Sequence, residues 1–108
     1  MRTLEFRADR QKLLKNPGCD FSEIVAGSTG YLRAKFYFSE EWEGTMKAAS
    51  FYGEDYENEY AALLDENDEC VIPSEVLTGK YFKVSVLGAK EPKYVIQTNK
   101  MKVKQEVN

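Results

Sequence analysis

Apolar and polar residues alternate along most of this chain with a period of two, the spacing of strands that bury one face. The clearest run is Tyr31 to Phe38, where Leu32, Ala34, Phe36 and Phe38 fall on one side and Tyr31, Arg33, Lys35 and Tyr37 on the other. It leads directly into Ser39-Glu40-Glu41-Trp42-Glu43-Gly44, which holds the only tryptophan. Ser39 suits an N-cap and the acidic pair suits a first turn, so one helical turn ended by Gly44 is expected there.

The same reading extends in both directions. Leu4 and Phe6 alternate with Glu5 and Arg7 in a short first strand ending near Ala8. Asp9 to Lys15 reads as a helical turn through Leu13 and Leu14, stopped by Asn16-Pro17-Gly18. Phe21 to Val25 resumes an extended path, and Ala26 to Gly30 reads as a hairpin tip leading into Tyr31. Thr45 to Tyr52 is a strand whose inward face, Ala49 with Phe51 or Met46 with Ala48, the pattern leaves open. Beyond an acidic loop, Tyr60, Ala62 and Leu64 approach a turn at Asp65 to Asp68, giving a hairpin with Glu69 to Ile72. Pro73 to Gly79 reads as a short helical or 3₁₀ turn, since Pro73 cannot donate to a central ladder. Phe82, Val84 and Val86 restart the alternation. Gly88 to Lys93 turns the chain, and Tyr94 to Thr98 and Met101 to Val103 close the fold. Eight or nine short strands without a long helix describe an all-β antiparallel sandwich or small barrel.

Composition narrows the function classes. The 108 residues provide for a single domain, 1–108, with 1–3 and 105–108 expected to fray, and for a core without staples. Net charge is -3 and no basic stripe is present, which argues against a nucleic-acid partner. No apolar run reaches the roughly 20 residues of a membrane span. The N-terminal residues interleave charge with apolar side chains, unlike an export signal, so a cytoplasmic origin is expected. Cys19 and Cys70 are then expected to be reduced thiols. With no histidine, a Cys/His zinc site, a Ser-His-Asp triad and a Cys-His dyad are excluded.

The remaining candidate chemistry is weak. Glu54, Asp55, Glu57 and Glu59, with Asp65, Glu66 and Asp68, could gather oxygens around calcium, but neither Asp55 nor Asp65 opens an EF-hand pattern. Glu40 and Glu41 are adjacent on one turn and cannot face each other across a cleft, as glycoside hydrolysis requires. No catalytic residue, metal or cofactor is therefore expected, and the chain reads as a non-enzyme. Tyr31, Tyr37, Tyr52, Tyr56 and Tyr94 could instead form a face for protein docking or sugar stacking. A lone tryptophan at a strand's end beside a glycine packs under a corner more often than it serves as a platform.

Four ordered elements carry a resemblance. They are Tyr31-Leu-x-Ala-x-Phe-x-Phe-Ser-Glu-Glu-Trp42-x-Gly44 with Lys47-x-Ala49-x-Phe51; Leu64-Asp-x-Asn67-x-x-Cys70-Val-Ile-Pro73-x-Glu-Val-Leu77; Phe82-x-Val-Ser-Val-x-Gly88; and Thr98-Asn99. From about Leu4 to Val103 the chain resembles the N-terminal β-sandwich of baseplate upper proteins and related tail-fibre or receptor-binding proteins in phages and prophages of Gram-positive hosts. The resemblance implies an immunoglobulin-like or related sandwich, assembled in the bacterial cytoplasm and then carried in the virion. It would dock other virion or baseplate proteins, as a homo-oligomer or within a symmetric assembly. The alternative is a carbohydrate-binding adhesin touching cell-wall glycan. On this reading Phe36, Phe38, Trp42, Phe51, Leu64, Ile72, Pro73, Val76, Leu77, Phe82, Val84 and Val86 form the core and its closing crossover, and Tyr31, Arg33, Lys35 and Tyr37 form the docking face.

Overall fold

The computed structural model describes residues 1–55 and 57–108. Among them the chain forms nine strands: β1 (Arg2–Asp9), β2 (Lys12–Lys15), β3 (Leu32–Phe38), β4 (Met46–Tyr52), β5 (Glu59–Leu63), β6 (Glu69–Val71), β7 (Tyr81–Lys90), β8 (Tyr94–Gln97) and β9 (Met101–Lys104). Two 3₁₀ turns, Glu40–Trp42 and Ser74–Val76, stand where the sequence places them. One sheet has the order β2-β1-β3-β6; the other runs β5-β4-β7, with β8 and β9 both paired to β7. The fold is all-β, as expected. Within it β1 and β3 run parallel, whereas every other strand pair is antiparallel.

The inward sides of both sheets share one core. Leu4, Phe6, Ala8, Leu32, Ala34 and Phe36 of the four-stranded sheet meet Ala49, Phe51, Phe82, Val84, Val86 and Val103 of the five-stranded sheet. Each of the Leu, Val and Phe side chains contributes about 1.5–3 kcal/mol by leaving water. Phe6 and Phe36 stack at 5.1 Å, and Phe38 continues the row to Trp42 at 5.0 Å. Trp42 is fully buried and donates its indole N–H to the Arg10 carbonyl at 2.9 Å, tying the corner after β3 to the turn between β1 and β2. Ile72, Val76 and Leu77 close one end.

Several local expectations change. Asp9 to Lys15 is no helical turn, because Arg10 takes a left-handed conformation (φ 55°) and the chain folds back as β2, burying Leu13 beside Ala8. Phe21 to Val25 makes no hairpin with β3: Arg2 donates to the carbonyls of Asp20, Ser22 and Glu23, and Ala26 N–H donates to the Glu106 carbonyl. Those contacts also hold the chain ends expected to fray, since Arg2 and Thr3 lie in β1 and Gln105 is buried. β5 and β6 flank the Asp65–Asp68 turn but join different sheets, so the turn links the two layers. Pro73 and Phe38 are half-buried rather than core, Pro73 preceding the second 3₁₀ turn and Phe38 lying beneath the Lys47 ammonium. Ser39 caps nothing with its side chain; its hydroxyl accepts the Arg10 N–H at 2.9 Å.

Gly88 lies inside β7, not in a turn. A Cβ there would stand 2.8 Å from Thr45 Oγ1 and 2.9 Å from Trp42 Cε3. The glycine is needed because the tryptophan lies flat against β7, which fixes the four-stranded sheet's corner onto the five-stranded sheet.

Candidate functional site

Each sheet turns one face outward, and the two faces differ in chemistry. On the four-stranded sheet, the register aligns Thr3 with Arg33 and Val71, Glu5 with Lys35 and Glu69, and Arg7 with Leu14 and Tyr37. This is the face expected to dock. Arg33 and Lys35 are engaged within the chain, whereas Arg7 on the same face is exposed. Arg33 is half-buried and pairs with Glu69 at 3.2 Å and Asp65 at 3.5 Å. Lys35 donates to the Asn67 carbonyl and lies 5.4 Å from the Tyr37 ring centre. The Asp65 carboxylate accepts the N–H groups of Asn67 and Glu69, and those bonds hold its pKa below the ordinary aspartate range, with Arg33 and Lys35 adding to the effect.

The tyrosines do not assemble. Tyr31 and Tyr37 are 48% and 43% exposed, but they bracket β3 and stand about 20 Å apart at the rise of an extended strand. Tyr52, expected to be exposed, is 8% exposed, its hydroxyl beside Glu59 (3.1 Å) and Ser85 (3.4 Å) and its ring beneath the Lys100 ammonium. Tyr94 donates to the Glu41 carbonyl at 2.6 Å and lies under Lys90. Tyr56 lies outside the described residues.

The five-stranded sheet presents the larger apolar surface. With Ala49 and Phe51 inward, the parity of β4 sends Met46, Ala48, Ser50 and Tyr52 outward. Cross-strand register then sets Leu63, Ala48, Leu87 and Gln97 in one row and Met46, Ala89 and Val95 in the next. Met46, Leu63, Val95 and Leu87 are 72%, 69%, 66% and 38% exposed. Contiguous exposed apolar side chains of this kind mark interaction sites on soluble proteins. Beside them, Met46, Ala89, Val95 and the turn Glu91–Lys93 border a depression of about 490 Å³. The lower half of the same face is hydrogen-bonded within the chain: Ser50 donates to Glu59 at 2.9 Å, and the Tyr52 hydroxyl lies 3.4 Å from that of Ser85, which is 2% exposed.

Sequence reasoning missed this face, although the signal is present. If Phe82, Val84 and Val86 point inward, Leu87 breaks the alternation as an apolar residue at an outward position, and Met46 does so once Ala49 and Phe51 are inward.

The acidic residues weighed for calcium are engaged locally. Glu54 accepts the Lys80 N–H and Asp55 the Glu57 N–H, and among the described residues no group of three or more acidic or cysteine side chains gathers as for a metal. Cys19 and Cys70 carry free thiols. Burial pushes the Cys70 pKa up to about 12, which leaves that thiol protonated and unreactive at neutral pH. A cavity of about 610 Å³ lies where Phe21–Ile24 meets Lys102–Glu106, with lysines and glutamates both in its lining. Among the described residues no helix is long and apolar enough to cross a membrane.

Fold and surface together describe a small two-sheet β protein with one charged, internally bonded face and one apolar face. Comparison with protein-family models, curated proteins and solved structures gave no match.

Proposed function

We propose that this chain is a non-enzymatic structural or attachment module of a phage or prophage tail, baseplate or fibre, assembled in the bacterial cytoplasm and carried in the virion. It acts by protein–protein docking, and the docking surface is the outer face of the five-stranded sheet. The observation that carries this reading is the contiguous exposure of Met46, Leu63, Leu87 and Val95 on a sheet whose other face packs on the core. A flat, apolar, rigid platform suits placement of one protein against another, since little ordering entropy is lost on docking. The ordered residue resemblance to baseplate and tail-fibre proteins supplies the biological setting.

The test is composition of the particle. Virions purified by density gradient from an induced lysogen carrying this gene should contain the chain by mass spectrometry, and the Met46→Glu/Leu87→Glu chain should fold but be lost from them. Particles that lack the wild-type chain would rule out the virion setting; particles that retain the double variant would rule out this face.

A further inference from the structure

We propose that the apolar outer face of the five-stranded sheet pairs with the same face of a second copy of this chain, about a two-fold axis parallel to the strands and passing between β4 and β7. The inference deepens the docking reading and rests on it. Three features of the face fit a self-complementary arrangement.

The first is size. Across the β4–β7 pair, each apolar row holds one large and one small side chain, and the order alternates: Met46 opposite Ala89, then Ala48 opposite Leu87. A two-fold along the strands exchanges β4 and β7. It therefore sets Met46 of each copy over Ala89 of the other, and Leu87 over Ala48. The depression beside Ala89, about 490 Å³ and bordered by Met46 and Val95, is the space into which the second copy's Met46 would project. Interdigitation of large over small is how stacked sheets fill the roughly 10 Å between them.

The second is charge. Two rows further down the sheet, past Ser50 and Ser85, Glu59 lies on β5 at one side and Lys102 on β9 at the other, with Tyr52 and Lys83 between them. Glu59 and Lys102 are both exposed. The same two-fold reverses this row on itself, bringing Glu59 of each copy to Lys102 of the other, twice per dimer.

The third is rigidity. Ser50, Tyr52, Glu59 and Ser85 form one hydrogen-bonded group across three strands, so the lower half of the face is ordered before any partner arrives. An isologous contact needs one self-complementary patch, and two-fold dimers are the commonest symmetric assembly.

Sedimentation equilibrium and light scattering on the purified full chain test this. The expected mass is twice the chain's 12.4 kDa, falling to the monomer in the Met46→Glu/Leu87→Glu variant, whose far-ultraviolet circular dichroism remains that of the folded wild type. Glu59→Lys and Lys102→Glu should each weaken the dimer about five-fold, and the two together should restore it, because the exchanged charges meet again across the axis. A wild-type chain that stays monomeric at millimolar concentration overturns the proposal, as does a dimer indifferent to the Met46/Leu87 variant. A double charge exchange as weak as the single changes overturns this register of pairing. A monomer that still enters particles through this face would remove self-pairing while leaving the docking reading intact; a dimer absent from particles would do the reverse.

Discussion

The two outward faces are built on the same backbone pattern and have opposite fates. On the four-stranded sheet, β3 places Arg33 and Lys35 outward, and the Asp65–Glu69 turn folds over to pair Arg33 with two carboxylates and to accept the Lys35 ammonium at the Asn67 carbonyl. On the five-stranded sheet, β4 and β7 place Met46 and Leu87 outward, and no segment among the described residues folds over them enough to bury them. Alternation states which side chains leave the core; it does not state whether they meet the chain's own loops or something else. The charged face looked like the docking surface in sequence because charge and tyrosine are the expected vocabulary of a surface. Two of its expected docking residues, Arg33 and Lys35, are held by the chain's own turn, while Tyr31 and Tyr37 stay exposed.

What joins the two regions is Trp42, so its removal should have the largest effect and should not discriminate between the faces. Trp42→Ala deletes a fully buried ring that contacts Phe38, covers Gly88 and donates to Arg10. A loss of about 3–5 kcal/mol is expected, read by urea unfolding, with near-ultraviolet circular dichroism lost in a single transition. Gly88→Ala attacks the same contact from the opposite sheet and should cost about 1–3 kcal/mol by overpacking. If Gly88→Ala proved neutral, Trp42 would not be locked against β7, and the faces would not be held in fixed relation.

The smaller test compares the faces directly. Arg33→Ala removes two partly exposed ion pairs and should lower stability by up to about 1 kcal/mol, more in low salt than in high. Met46→Ser on the other sheet should leave the unfolding of the isolated chain within about 0.5 kcal/mol, since its 72% exposed side chain has little of its own protein to leave. Equal costs for the two would show that Met46 is packed within the chain and that the apolar face is not free surface.

Much of this fold was legible in the alternation. The inward sets Leu32-Ala34-Phe36 and Phe82-Val84-Val86, the 3₁₀ turn at Glu40–Trp42 and the buried role of Trp42 follow from local pattern, because period-two burial and a tryptophan beside Gly44 are short-range signals. Which strand pairs with which was not legible. The parallel contact of β1 with β3, the assignment of β5 and β6 to different sheets and the bridge from Val25 to Glu106 are long-range choices with no local mark. Gly88 shows the limit most clearly: a glycine followed by Ala-Lys-Glu-Pro reads as turn chemistry, and only the tryptophan from another sheet's corner explains it as a strand residue. The candidate site was missed for the same reason, since Met46 and Leu87 become neighbours' neighbours only once β4 is known to pair with β7.

Acid should separate the faces most gently. The Asp65 carboxylate is held below its ordinary pKa by the N–H groups of Glu69 and Asn67, then by Arg33 and Lys35. A carboxyl depressed in the folded state contributes its stabilisation fully above its unfolded pKa and loses it as pH falls through the lower folded value. The ties of the 65–69 turn to the charged face should therefore persist through mildly acidic pH and loosen only in strong acid. The protection of the Asn67 and Glu69 amides against hydrogen exchange, followed as pH is lowered, should fall until they exchange near the intrinsic rate, while the amides of β4 and β7 keep their protection, because no carboxylate fastens Met46, Ala48 or Leu87 in place. Asp65→Asn should bring the loosening to neutral pH and abolish its pH dependence. Loosening of both faces together at the same pH would mean that the turn is part of the common core rather than a clasp on one sheet.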